Sequence, residues 1–513
     1  MTNRDLQAAW RYHNGTKHPG GDLLNPWHRF DPAEQPLLFK RYLDLESIPL
    51  ELDETPAGMS ALAAIAGRVE PPGTARLPDR ASLARLLYYS AGITKRIEYP
   101  GWGEMYFRAA AATGALYHIE LYLVCGELND LAAGVYHFDP ADFSLKQLRR
   151  GDFRGVLVEA SGQEPAIAQA AAAIIYTDVF WRNAVKYQAR AYRHAFWDSG
   201  TIIAHTLAMA AAHGLPARLV AGFVDERINQ LLGLESRQEA GLALLAVGSV
   251  PRQAAGPPPE ISALSLRTQP ISQHTSDFPA IHTIHQASSL SSPAEAARWR
   301  GAAPSTSPPE PAAAPVYLPP LSAEELPQAP IEKVIVRRGS ARHFAPEAIT
   351  LSQLATILDR STQGIPADFL AGEPGGSLNQ AYLIANAVRD LPAGAYVYHR
   401  QERALERLKA GSFRREAGGL ALGQALAADA SANIFFLSDL EQVLEKFGNR
   451  GYRAAQLDAS ITAGKVYLAA YALRLAATGL TFYDDAVTDF FSPHAQGKCV
   501  MFLIALGKRA RRS

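Results

Sequence analysis

Residues 185–200 read VKYQARAYRHAFWDSG, and residues 445–460 read EKFGNRGYRAAQLDAS. Lys186 and Lys446, Arg190 and Arg450, Tyr192 and Tyr452, and Arg193 and Arg453 are each 446 − 186 = 260 residues apart. The same offset aligns LAAGVY, residues 131–136, with LPAGAY, residues 391–396, and Asp225 in AGFVDE with Asp485 in TFYDDA. Upstream the register slips by about a dozen residues, as an insertion would cause. One long offset with such a slip marks a duplicated domain rather than a solenoid of short repeats.

Composition bounds the rest. The chain has 513 residues, 48% of them hydrophobic, with 50 basic and 50 acidic side chains. That balance gives no reason to expect nucleic-acid or anionic-membrane binding; the basic end KRARRS reads as a solvated tail. Cys125 and Cys499 are too few and too far apart for a disulfide framework or a thiolate metal site. No metal is expected, because His13, His18 and His28 lack companions at ligand spacing. The opening residues carry no apolar run of a signal sequence, and no segment approaches a membrane span, so the expectation is a soluble, cytoplasmic protein.

Four segments follow. Residues 1–60 form an arm with proline and aromatics (NPWHRF, LLFKRY), 61–255 a first domain, 256–328 a linker rich in Pro, Ser and Ala, and 329–513 a second domain. The linker is too poor in apolar residues to fold alone and is expected to be partly extended. Each copy runs through a helix (SLARLLYYSAG; LSQLATILDR), a strand (IELYLVC; AYLIANA) and a hairpin strand (GVYHFDP; GAYVYHR). A buried strand (IIYTDVF; NIFFLSD), a long amphipathic helix from Tyr192 or Tyr452 and a final strand (ALLAVG; VMFLIALG) complete it. Helices alternating with mostly antiparallel strands give the class α+β.

These residues resemble the nitroreductase fold and, within it, the SagB-type dehydrogenases, flavin enzymes that oxidise azolines to azoles. The second copy carries VRRGSARHF, similar to the family's RRSxRxF opening. The first carries FRAAAATGALYHIELY, similar to the family's R-x-x-PSGGALYP-x-E-L-Y segment, and both carry KY-x-x-R-x-YR or a variant. Such domains normally form homodimers with flavin at the interface, so the resemblance implies an intramolecular pseudo-dimer; whether it associates further is open.

The resemblance also implies a division of the site. FMN phosphate would be gripped by Arg337, Arg338, Ser340 and Arg342, with Lys508 as the basic residue after the last strand; guanidinium forks suit a phosphate dianion. The first copy would contribute Arg108 and the loop Ala112, Thr113, Gly114 and Ala115, whose small residues allow close approach to a flat ring. Gly479 and Leu480 match the segment whose backbone passes flavin N5. The mirror site looks lost. It has IAGRVEPP with Arg68 alone in place of the arginine opening, and AGEPGGSLNQAY, with Glu373 beside Pro374 and Gly375, in place of the loop. One FMN per chain is expected. The Lys–Tyr pair that is catalytic in the resembled enzymes is complete only as Lys186–Tyr187; the second copy has Lys446–Phe447. Arg193 and Arg453, kept in both copies, read as structural.

The expected function is therefore an FMN-dependent oxidoreductase of the SagB type acting on a small-molecule or peptide substrate. The competing readings are an NAD(P)H-dependent nitro or quinone reductase and a non-catalytic scaffold or binding protein.

Overall fold

The computed structural model describes residues 2–18, 34–67, 69, 76–99, 103–250, 255–301, 315–370 and 376–510. The doubled phrase lies on its two longest helices, Ala191–Ala212 and Arg450–Ala472. They pack against each other at the centre of the molecule. A methyl group on Gly200 would overlap the Ser460 hydroxyl, and one on Gly464 would come 2.7 Å from Ala204 Cβ. Gly200 and Ser460, like Ala204 and Gly464, are 260 residues apart, so the crossing lies on the pseudo-twofold axis. A second marker of that axis is the exchange between residues 59–61 and 329–331, where Ala61 N–H donates to Ala329 O (2.9 Å) and Ile331 N–H to Met59 O (3.3 Å).

These helices are not amphipathic, as the sequence pattern suggests. Residues 191–211 and 450–472 are buried on every face. Each is sandwiched between its own sheet and the other long helix, so its polar side chains are partnered inside rather than turned to water.

The sheets repeat one order. The first runs Ser47–Pro49, Ser144–Arg150, Gly134–Asp139, Ile119–Cys125, Ala172–Val179, Glu239–Val247 and Ala217–Val220, antiparallel throughout. The second runs Val316–Tyr317, Ala404–Ala410, Gly394–His399, Gln380–Ala385, Ala432–Ser438, Cys499–Arg509 and Ala476–Leu480, with Phe344–Ala345 also on the long final strand. The α+β class holds. Among the described residues, no helix is long and apolar enough to cross a membrane.

Two expectations need correction. The linker is not merely extended: it contains the helices Pro279–Ala287 and Pro293–Trp299, whose Ile281, Ile284 and Trp299 are buried against the domains. The first of these has a counterpart in the arm, the helix Gln7–Gly15. Arg193 donates to His13 O (2.6 Å) and Thr16 Oγ1 (3.1 Å); Arg453 donates to His285 O (2.6 Å) and Ser288 Oγ (2.7 Å). The offset 285 − 13 = 272 is 260 + 12, which is the upstream slip. The duplication thus extends into arm and linker. The arm also runs antiparallel to the linker, with Leu37 N–H on Ile271 O (2.7 Å) and Gln269 N–H on Arg41 O (2.9 Å).

The second correction is a one-residue shift: the counterpart of Asp225 is Asp484, not Asp485. Both begin a helix, Asp225–Leu232 or Asp484–Phe491. Both also clamp the other copy's arginines: Arg450 and Arg453 on Asp225 (2.6 and 2.7 Å), Arg190 and Arg193 on Asp484 (3.0 and 2.5 Å). The chain between long helix and edge strand is one residue shorter in the second copy, LRL in place of HGLP.

Burial alone would raise the Asp225 carboxyl, but Arg450 and Arg453 outweigh it and hold it at about 2. Its stabilisation is therefore fully present above the ordinary value of about 3.9 and is lost as pH falls to about 2. Asp225→Ala, which strands two buried guanidinium groups, is expected to cost about 3–5 kcal/mol at pH 7, read by urea unfolding.

Candidate functional site

The helix Ile331–Arg337 leads from the pseudo-twofold axis to the arginine opening. Arg338, half-buried, reaches into the first copy, where Nε donates to Ala109 O (2.8 Å) and Nη2 to Arg108 O (3.2 Å). The RRGS segment of one half is thereby seated on the loop of the other. Arg337 Nη2 donates to Tyr471 O (2.7 Å) and its Nε is buried without a partner. Ser340 Oγ lies 3.4 Å from Tyr467 Oη, and Arg342 is exposed. Among the described residues, none of these three arginines has a carboxylate partner. Burial lowers Arg337 and Arg338. Guanidinium groups without a carboxylate partner among the described residues suit a phosphate, but Arg337 turns to Tyr471 and Arg338 to Arg108 and Ala109.

The loop follows the hairpin Ile93–Tyr99 and Gly103–Arg108. Its turn Thr113–Ala115 has Gly114 at φ 65° and Ala115 at φ 56°. A Cβ on Gly114 would sit 2.9 Å from Tyr187 Oη, so glycine lets the phenol pack on the turn. Thr113 is anchored on the long helix: its N–H donates to Asp198 Oδ2 (2.8 Å) and its Oγ1 to Asp198 Oδ1 (2.7 Å). Behind Asp198 stands His118, donating from Nε2 to Asp198 (2.9 Å) and from Nδ1 to the buried Asp178 (2.6 Å). Two carboxylate acceptors require both ring nitrogens to carry protons. Burial works against that charge, but Asp178 and then Asp198 outweigh it and hold the imidazolium up to about 9.

Lys186 and Tyr187 end the helix Phe180–Tyr187. Lys186 is exposed, with Nζ 5.3 Å from the centre of the Tyr187 ring. Burial, with Asp198 adding, pushes the Tyr187 phenol up to about 12, so it is a neutral donor at neutral pH and not a tyrosinate. In the second copy Phe447 is fully buried under Trp299 of the linker (ring centres 5.2 Å apart), whose Nε1 donates to Phe447 O (2.7 Å).

Other sequence candidates are less directly placed. The Arg108 guanidinium does not face Arg338. It donates to Leu38 O (3.0 Å) and lies over Phe39 and Tyr117, where burial lowers it to about 10; only its backbone carbonyl joins the junction. Gly479 N–H, the candidate for flavin N5, donates to Tyr467 Oη (2.5 Å), and Leu480 is buried beside it in the edge strand. Lys508 pairs with Glu347 (3.2 Å). Arg68, Glu373, Pro374 and Gly375 of the mirror site lie outside the described residues.

Tyr467, Tyr471, His118, Asp178 and Asp198 were not singled out from sequence. Copy-to-copy comparison could have found the tyrosines: at offset 260 the first copy has Leu207 and Ala211. The cleft bounded by Arg108, Ala110–Ala112, Tyr117 and Asp198 measures about 250 Å³. A larger one of about 680 Å³ lies at the mirror position, around Ser377, Asn379 and Thr462.

Two sheets of one order, locked across a pseudo-twofold axis, define a tandem two-domain oxidoreductase architecture. The chain belongs to the nitroreductase family, whose model matches residues 79–249 and 335–508. A solved nitroreductase-like protein of Anabaena variabilis is 28% identical and superposes over 98% of this chain and 99% of its own, with a TM-score of 0.78; the tandem arrangement is shared end to end. McbC, the microcin B17-processing protein of Escherichia coli, is 28% identical over 142 residues, 27% of this chain and 52% of McbC. The chain thus matches about half the length of that relative. The nitroreductase-like MJ1384 of Methanocaldococcus jannaschii is 25% identical over 166 residues, 32% of this chain and 78% of its own length.

The His118 charge gives a pH signature. A raised folded pKa contributes stability that is full below the ordinary value of about 6.5 and is lost as pH rises through about 9. Urea unfolding is expected to show a loss on the order of 3 kcal/mol across that window, and His118→Gln should flatten it.

Proposed function

We propose that the chain is an FMN-dependent oxidoreductase with one flavin, held between the arginine opening of the second copy and the loop of the first. The observation that carries this is the seating of Arg338, which has no carboxylate partner among the described residues, on the Arg108 and Ala109 carbonyls (3.2 and 2.8 Å). Arg337, Arg338, Ser340 and Arg342 would hold the phosphate. Thr113–Ala115 would lie against the ring system, with Tyr187 beside it. Bound FMN supplies the two-electron chemistry, taking up a hydride at N5.

The residues of the chain then bind, orient and move protons. Tyr187 enters as a neutral phenol, a hydrogen-bond donor or acid. A tyrosinate base is disfavoured at this position, because burial and Asp198 both oppose ionisation. Lys186, at the open edge beside the Tyr187 ring, would be the general base for the proton that accompanies hydride loss, a role that requires its neutral amine form. The likeness to McbC favours the SagB type, oxidation of an azoline ring in a small molecule or peptide, in which ring carbon loses hydride and a proton leaves to the base. The family match also supports a second reading, reduction of nitro compounds or quinones at the expense of NAD(P)H.

The test is reconstitution with FMN. One flavin per chain is expected. Arg338→Ala should weaken FMN by about 10- to 100-fold, the worth of a charge-assisted hydrogen bond. Lys186→Ala and Tyr187→Phe should keep FMN and slow oxidation of a thiazoline model substrate by about 10²- to 10⁴-fold. Two flavins per chain, or none, would sink the reading. Rapid anaerobic bleaching by NAD(P)H, with no thiazoline oxidation, would decide for the reductase.

A further inference from the structure

The two copies differ in what stands behind the carboxylate of the long helix. In the second copy Asp458, 458 − 198 = 260 residues after Asp198, plays the same anchoring part. It accepts from Ser377 Oγ (2.6 Å), Leu378 N–H (2.8 Å) and Asn379 Nδ2 (2.8 Å). A helix carboxylate at the head of the strand is therefore common to both, on Thr113 and His118 in the first copy and on Ser377–Asn379 in the second. What stands behind it is not. Strand pairing Glu120 with Thr177 in one copy, and Gln380 with Leu437 in the other, makes Leu378 and Ser438 the counterparts of His118 and Asp178.

A buried imidazolium and a second buried carboxylate carry a large desolvation cost, which apolar replacements avoid. The second copy holds Ser377–Asn379, the counterparts of Tyr117–Ile119, on Asp458 without them. They occur only in the copy that has Tyr187. They also reach it: Asp198 grips Thr113, and the neighbouring Gly114 is the surface on which the phenol rests.

We propose that Asp178, His118 and Asp198 form a positioning chain that sets the turn Thr113–Ala115 and the Tyr187 phenol for reaction. None of the three touches the reacting atoms; they act through Thr113 and Gly114. Their bearing on catalysis rests on the reading that this loop faces the cofactor.

The test imports the second copy's solution into the first. The double variant His118→Leu/Asp178→Ser is expected to fold, with a single cooperative transition. In flavin-free protein, amide exchange at Thr113 should accelerate by at least ~10-fold while exchange at Leu378 is unchanged. With FMN bound, kcat should fall by ~10- to 100-fold at nearly constant KM, as for a misplaced group. Thr113 exchange at the wild-type rate overturns the proposal whatever the flavin does. Failure of the wild type to bind FMN would instead defeat the cofactor reading and leave the exchange result to decide the positioning chain. If the double variant does not fold, Asp178→Asn, which keeps the shape and removes one charge, is measured in the same way; unchanged exchange and kcat there also overturn it.

Discussion

Four buried guanidinium groups and two carboxylates, exchanged between the copies, are the constraint on which the rest depends. Arg190 and Arg193 of the first copy have only Asp484 of the second as acid partner among the described residues; Arg450 and Arg453 have only Asp225. A buried charge without its partner is far more costly than a buried pair. The halves are therefore fixed to each other by groups neither can satisfy alone. The close approach at Gly200 and Ser460 sets how near the long helices come. The arm and linker helices complete each cluster through the carbonyls of His13 and His285. With that geometry set, the end of the helix Ile331–Arg337 has one place to go, against the carbonyls of Arg108 and Ala109.

Pseudo-symmetry is kept where it holds the molecule together and broken where chemistry would be done. The scaffold pairs survive in both copies: the clamping aspartates, the helix arginines, and the loop anchors Asp198 and Asp458. At the site every departure falls on one side of the same division. Tyr467 and Tyr471, beside the arginine opening, face Leu207 and Ala211 in the other copy. His118 and Asp178 face Leu378 and Ser438. Tyr187, resting on the glycine turn, faces Phe447, which has become core under Trp299. These changes are individually modest; their agreement is what distinguishes the two half-sites.

Much of this was legible in the sequence because duplication writes each constraint twice. The offset of 260 exposed the two copies, the strands showed as β-branched and aromatic runs, and the arginine opening and Lys–Tyr pair stood out by presence in one copy and absence in the other. Other features were hidden for stated reasons. Periodicity could not show that the long helices are buried all round, because their polar residues are satisfied by partners 177 to 294 residues away, such as Thr16 for Arg193 and Asp484 for Arg190. A fixed offset could not register the one-residue deletion that makes Asp484 the true counterpart of Asp225. The linker's composition concealed a helix that folds only against the clusters it covers.

The sequence by itself determined the duplication, the α+β class, and which copy carries the arginine opening and which the complete Lys–Tyr pair, since those are matters of residue type at fixed spacing. Only the tertiary structure decided that Arg338 meets the Arg108–Ala109 backbone, that the Arg108 side chain turns instead to the arm, and that Asp178, His118 and Asp198 stand in line behind Thr113. These partners lie 60 to 230 residues apart along the chain. Burial makes each of them depend on one distant partner, and no local pattern encodes such a choice.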